Sequence, residues 1–519
     1  MDRPAITPVL PSAEWLDETA PIGSPVQVLP FAPAHPNTFR VALHVVVAIF
    51  SLFLIVFKVA LEPFGVPTGS MATAILGDHR EAECPRCGYR VVTGEPGPDA
   101  KPVRFETCKC PNCGATVDLA KARELPGDRL LVDKTAFDSR SPRRWEVSVF
   151  HCPADTSKPF VKRVVGLPGE WIQIIDGDVY ANGELQRKTL AQVRETRIAV
   201  FDMNYAPPEG WGSRFREQPI GDPKLPRVPG QSDEKALAET VLKDNSIFVA
   251  ATSGRPEGFG ITYRHWNLDT KQENPIGDWL AYNGGPASRR DNFARKLPDA
   301  AFEPAHDFFL EFDLEVQSPG GMIALRLGDG ADTVRAEIPL GDNQTLALTH
   351  DGGSASQRVA GFQLRANAIY RIEFAFVDRR ASLAIDGVEA IAPLDLPPPA
   401  SLRPRGGVTR PFQLGFRGCD VAIRNLKLDR DIHYSTVPKG PTSWQLSADE
   451  YFLLGDNTGN SHDSRAWVVG NVPSPGVPER SFIGKPFLIH QPLKLSRTTV
   501  NGKPREIQTL DWSRVRWLR

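Results

Sequence analysis

Three short stretches carry residue types that can make and break an amide bond. In Val66-Pro67-Thr68-Gly69-Ser70-Met71, proline and glycine bracket a serine. Such a backbone can present a hydroxyl at a surface, although the same composition also makes an ordinary turn. In FVKRVVGLPGE (160–170), period-two alternation puts Phe160, Lys162 and Val164 on one face and Val161, Arg163 and Val165 on the other. A lysine with apolar neighbours on its own face is desolvated, which disfavours the ammonium and frees a neutral amine to act as a general base. On an edge strand the same side chain would snorkel to solvent. In YFLLGDNTGNSHDSRAW (451–467), an apolar strand runs into a polar loop, where an Asp463–Arg465 ion pair could hold a catalytic base in place. Lys134 is the rival base, while His151 and His462 read as ordinary polar residues.

A fourth stretch points to a metal. Five of the seven cysteines fall between 84 and 113, as Cys84-Pro-Arg-Cys87-Gly and Cys108-Lys-Cys110-Pro-Asn-Cys113-Gly. Two such knuckles suit a zinc ribbon with Cys84, Cys87, Cys110 and Cys113 as ligands and Cys108 spare. Four thiolates close the coordination sphere, so the zinc would be structural and the catalysis would need no cofactor. Disulfides are the alternative in an oxidising compartment. Cys152 and Cys419 read as isolated buried thiols.

Together the boxes resemble type I signal peptidase (leader peptidase), a membrane-anchored Ser/Lys protease. PTGSM is similar to its nucleophile box and GDRLLVDK (127–134) to the strand that follows. FVKRVVGLPGE with Gly177–Gly183 is similar to the Lys box and its hairpin, and GDN…S-x-DSR (455–465) to the closing box, with Ile483-Gly484-Lys485 like the final strand. The resemblance covers roughly 59–80, 126–190 and 445–490. It implies Ser70 as acylating nucleophile and Lys162 as base. Thr68 with the Ser70 N–H would form the oxyanion hole, Ser461 would orient the lysine, Asp463 and Arg465 would support it, and Arg163 would be structural. Two departures stand out: Val468 and Val469 separate Trp467 from Gly470, and about 280 residues lie between the Lys box and the closing box.

These residues need elements to position them. VALHVVVAIFSLFLIVF (41–57) has only His44 and Ser51 as polar residues and, extended to 39–61, reads as a transmembrane anchor. No basic leader or small-residue cleavage pattern accompanies it, so the anchor is expected to be retained. The charge bias around it is too weak to orient it. Residues 1–38 are Pro-rich and read as a flexible tail. Between 233 and 435 short alternating strands recur, as in 308–317, 322–330 and 412–428, which argues a β-sandwich. The AIDG turn (384–387) and the strand VAIRNLKL (421–428) resemble a concanavalin/laminin-G-like jelly roll. That likeness implies a glycan or protein ligand, with Trp279 and Tyr282 as sugar-stacking candidates.

The expected fold class is mainly β: a signal-peptidase-like catalytic domain, split as 62–232 and 436–519, behind one helix. A zinc ribbon (81–125) decorates its surface, and the sandwich (233–435) is inserted. With Lys+Arg 61 against Asp+Glu 62, a nucleic-acid partner is not expected. The negative mean hydropathy excludes a polytopic membrane protein. The resemblance implies a single-pass protein of the cytoplasmic membrane, with its catalytic domain on the outer face, acting on preprotein signal peptides. The competing readings are a receptor that displays the sandwich on a degenerate protease scaffold, and a Ser/Lys protease dedicated to one client.

Overall fold

The computed structural model describes residues 38–55, 59–95, 105–219, 235–236, 241–250, 258–284, 302–399, 404–436, 440–500 and 503–518. The fold is mainly β, with one N-terminal apolar helix. All but the last residue of the expected Pro-rich tail (1–38) lies outside the described residues.

Helix α1, Thr38–Ile55, is largely apolar on every side and buries none of its residues. At 1.5 Å per residue its eighteen residues span about 27 Å, long and apolar enough to cross a membrane. The anchor expected at 39–61 ends sooner. Leu61 instead opens a strand, because Leu61–Gly65 finds a hydrogen-bonding partner in Arg129–Asp133, with Leu61 opposite Asp133.

The sheet that carries Lys162 has eight strands, numbered along the chain: β1 (Leu61–Gly65), β2 (Arg129–Asp133), β3 (Val147–Cys152), β4 (Asp155–Gly166), β5 (Glu450–Leu454), β6 (Gly476–Pro478), β7 (Phe482–Ile489) and β8 (Arg516–Trp517). Their order is β1-β2-β7-β3-β4-β5-β6, with β8 also paired to β7. The alternation read in β4 holds. Val161 packs on the cluster of Val147, Val149 and Met71, whereas Phe160 and Val164 join Phe150, Leu453 and Trp467. A four-stranded sheet built on the hairpin Trp171–Ile175 and Asp178–Ala181 adjoins it.

The insertion is a two-layer sandwich. A nine-stranded sheet centred on Val421–Arg430, Phe308–Val316 and Ala368–Val377 faces an eight-stranded sheet containing Phe412–Arg417, Met322–Gly328 and Thr333–Pro339. Leu310, Phe312, Leu314, Ile323, Leu325, Ile338, Phe374 and Leu414 fill the interior, every second residue of each strand, as half-buried antiparallel strands require.

Two expected boundaries move. The sandwich begins well before 233: Ile198–Asp202 pairs with Val421–Arg430, and Phe215–Pro219 pairs with Phe259–Tyr263. Helix Leu190–Thr196 also packs Leu190 and Val193 on Phe309, Ala375 and Val377 of the sandwich. The cysteine segment, expected to decorate the catalytic surface, shares its core with the sandwich instead. Asn112 accepts from the Asp202 N–H (2.8 Å) and donates to the Asp202 and Tyr205 carbonyls, while Arg86 bridges Glu209 and Asp269.

Candidate active site

Ser70 sits in a single 3-10 turn, Gly69–Met71, between two cores. Met71 and Ile75 enter the cluster beneath β2 and β3, and Ala72 and Leu76 enter the one that contains Phe452 and Leu454. The GD of GDRLLVDK grips this loop. The Asp128 carbonyl accepts from the Val66 N–H, the Asp128 N–H donates to the Leu76 carbonyl, and its buried carboxylate accepts from the Leu76 N–H at 2.8 Å. Thr68 precedes the turn with an extended backbone. Its side chain is exposed and makes no capping hydrogen bond.

Lys162 on β4 reaches the nucleophile loop, and its Nζ donates to Ser70 Oγ at 2.5 Å. The lysine is only 3 % exposed. Burial disfavours its ammonium and lowers its pKa to about 8; Asp463 works against that shift and Arg465 adds to it. About a tenth of the lysine is therefore neutral at pH 7 and about half at pH 8. Lys134, the rival, forms an ion pair with Glu62 (3.3 Å) and has no part in this arrangement.

The loop after β5 supplies the supports. Arg465 holds Asp463 in a bidentate ion pair (2.8 and 2.7 Å) and also donates to Thr458. Burial alone would raise the Asp463 pKa; Arg465 outweighs it, so the carboxylate stays ionised. Gly455 lies against Ser461 and the Ser70 carbonyl, where a Cβ would collide with both. Ser461 and Ser148 are fully buried, and Ser148 stands opposite Lys162 in the β3–β4 register. Neither hydroxyl has a hydrogen bond of normal geometry, and none joins Ser461 to Lys162, although Ser461 lies close enough to Asp463 to favour its ionised form.

Arg163, on the opposite face of β4 from Lys162, forms a buried fork with Asp456 at 2.8 and 2.6 Å and donates to the Trp145 carbonyl. The motifs alone give no role to its partner Asp456, nor to Asn457. The Asn457 N–H donates to the Ser70 carbonyl (3.0 Å) and its side chain to the Gly69 carbonyl (2.9 Å). The signal for both is their place in the GDN stretch. Tyr282, a sugar-stacking candidate in the sequence, is 2 % exposed with its ring against Gly69 and Gly94, so it has no free face for a sugar.

The family described as signal peptidase, peptidase S26, matches residues 118–252 and 421–490. Over these two segments the chain is similar to this signal peptidase family. The match takes in Lys162, Ser461, Asp463 and Arg465 and begins beyond Ser70. Among individual signal peptidases, the probable signal peptidase I-2 of Synechocystis sp. is 34% identical over 88 residues, 14% of this chain and 40% of that protein. Signal peptidase I of Leptolyngbya laminosa is 36% identical over 89 residues, 14% of this chain and 43% of that protein. Signal peptidase I of Rickettsia massiliae is 28% identical over 144 residues, 28% of this chain and 43% of that protein. The chain thus spans about two fifths of the length of the signal peptidases it matches. Among solved structures, a carbohydrate binding module CBM66 from Bacillus subtilis aligns to 24% of this chain and 75% of its own at 14% identity, with a TM-score of 0.18.

A second cluster lies apart from this site. Cys84, Cys87, Cys110 and Cys113 are buried with all four sulfurs within 4.8 Å of one another. Cys84–Cys113 and Cys87–Cys110 are 3.5 and 3.7 Å apart. Four thiolates about 2.3 Å from a tetrahedral zinc would be about 3.8 Å apart, whereas a disulfide needs about 2 Å. Gly88 and Gly114 take positive φ (73° and 83°) to close the two knuckles. The donor set and spacing fit a structural zinc and leave no open position for catalysis. Cys108 is buried outside the cluster, as are Cys152 and Cys419.

Proposed function

We propose that this protein is a membrane-anchored serine endopeptidase that removes signal peptides from exported preproteins. Its catalytic part would lie on the outer face of the cytoplasmic membrane, with the bilayer and the preprotein as partners. The observation that carries this reading is the contact between the buried Lys162 amine and Ser70 Oγ.

In the mechanism, neutral Lys162 takes the proton from Ser70 as Oγ attacks the scissile carbonyl. The oxyanion is held by the Ser70 N–H and the Thr68 hydroxyl, whose exposure leaves it free to face a substrate. Lys162 then passes its proton to the departing amine, which leaves an acyl-Ser70 ester. The lysine next deprotonates a water that attacks the ester, and its proton returns to Ser70 as the acid product departs. Asp463 and Arg465 would fix the loop around the amine, with Ser461 filling the wall beside it.

The test is cleavage of a preprotein with an Ala-x-Ala site by the full chain in detergent, followed from pH 6 to 10. The base works only when neutral, so with its pKa at about 8 the rate should rise about tenfold from pH 7 to 9 and then level. Absence of cleavage, or a flat profile between pH 7 and 9, would sink the proposal.

For the cysteine cluster we propose one structural zinc held by Cys84, Cys87, Cys110 and Cys113. Metal analysis should find one zinc per chain, and Cys110→Ser should bring this near zero and lower the thermal transition, since zinc-binding energy is folding energy. Zinc-free protein with the four thiols oxidised would refute it.

A further inference from the structure

The inserted sandwich reaches the nucleophile. Its loop before residue 285 ends in a 3-10 turn, Ala281–Asn283, closed by Gly284 at φ 84°. The loop is tied to the sandwich, because the Arg430 guanidinium donates to the Asp278 and Trp279 carbonyls and the Ile276 N–H to the Val408 carbonyl. At its tip Leu280 and Tyr282 join the core that contains Ala72, Leu76, Phe452 and Leu454. The Tyr282 hydroxyl donates to the Asp78 carbonyl at 3.2 Å, and its ring lies where a Cβ on Gly69 or Gly94 would have to be. Asn283 and Asn457 exchange two amide hydrogen bonds, at 2.7 and 2.9 Å. Asn457 is fully buried, and its remaining side-chain donor and its backbone N–H hold the carbonyls of Gly69 and Ser70.

We propose that Asn283 is a positioning residue for Ser70, so that the insertion supplies part of the catalytic centre. An amide can bond reciprocally with a second amide in one orientation only. With Asn283 in place, one orientation of the two amides satisfies the Gly69 carbonyl and both mutual bonds together. Without it, the Asn457 amide loses both bonds that anchor it and can swing away from the Gly69 carbonyl, and the main chain under Ser70 loses its fixed seat. Small displacements of a nucleophile are costly in rate. This proposal rests on the reading of Ser70 and Lys162 as the catalytic pair.

The experiment measures kcat and KM for preprotein cleavage by the full chain carrying Asn283→Ala, Asn457→Ala or both, with Ser70→Ala alongside. Asn283→Ala should lower kcat about tenfold with KM within twofold, and should have little further effect on an Asn457→Ala background. A merely structural contact would lower the thermal transition and the amount of folded enzyme without this split. Asn283→Asp keeps the shape but cannot donate to Asn457, and should be impaired like the alanine variant; it decides the matter if Asn283→Ala does not fold. Unchanged kcat in the folded variants, or additive losses in the double variant, overturns the proposal. Failure of both Asn283 variants to fold makes the contact a structural tie and overturns it as well. Cleavage by Ser70→Ala at the wild-type rate removes the catalytic pair itself, and this proposal with it, whatever Asn283 does.

Discussion

Ser70→Ala and Lys162→Ala should each lower kcat by about 10³-fold or more, and the double variant should be no worse than either. In the proposed mechanism the two groups act as a unit: without the amine the hydroxyl keeps its proton, and without the hydroxyl the amine has nothing to activate. Lys162→Arg should be as inactive as Lys162→Ala, because a guanidinium stays protonated. Lys162→Met should be inactive yet folded, since it removes a buried amine and fills the same buried space. Lys134→Ala, whose lysine pairs with Glu62 instead, should cleave like the wild type. Single-turnover cleavage of a preprotein checks all of these. Lys162→Ala retaining wild-type kcat would remove the base from the mechanism.

The second large effect is on stability. Arg163→Ala should destabilise the catalytic part by about 3–5 kcal/mol, because it leaves Asp456 charged, buried and unpaired. Asp456→Ala should cost a similar amount by stranding the guanidinium, whereas Arg163→Met with Asp456→Leu should recover much of the loss. Calorimetry of the full chain reads this as a fall of roughly 10 °C in the catalytic transition for each single variant. Activity should fall with it, since Asp456 adjoins Asn457, which holds the Ser70 carbonyl. Single variants melting within about 1 °C of wild type would show that the pair is not needed.

Much of this site is legible in the sequence because its chemistry is local. A serine between proline and glycine, a lysine in an alternating apolar strand and an Asp-x-Arg loop each announce themselves within a few residues. The alternation also carries the face of Lys162, and β4 keeps it. What cannot be read depends on docking. Asp456 gives no sign of its partner, since Arg163 lies 293 residues away. Tyr282 resembles any loop aromatic until its ring is seen against Gly69. The sandwich starts earlier than its alternating strands suggest, because Ile198–Asp202 shows its allegiance only through pairing with Val421–Arg430. The cysteine knuckles reveal by spacing which four thiols come together, but their burial against the sandwich follows from Asn112 and Arg86, which carry no motif.

The pairing of Ile198–Asp202 with Val421–Arg430 has a consequence for the order of assembly. It sets Ile198 beside Arg430, so the chain leaves and re-enters the catalytic fold at neighbouring points. Once the sandwich has folded, the path from Arg163 to Asp456 shortens from 293 residues to roughly 60, which reduces the loop-closure cost by roughly 1.4 kcal/mol. The loop after β5 therefore closes most readily around a finished sandwich. The insertion thus eases the closure of that loop although it lengthens the chain between the two partners.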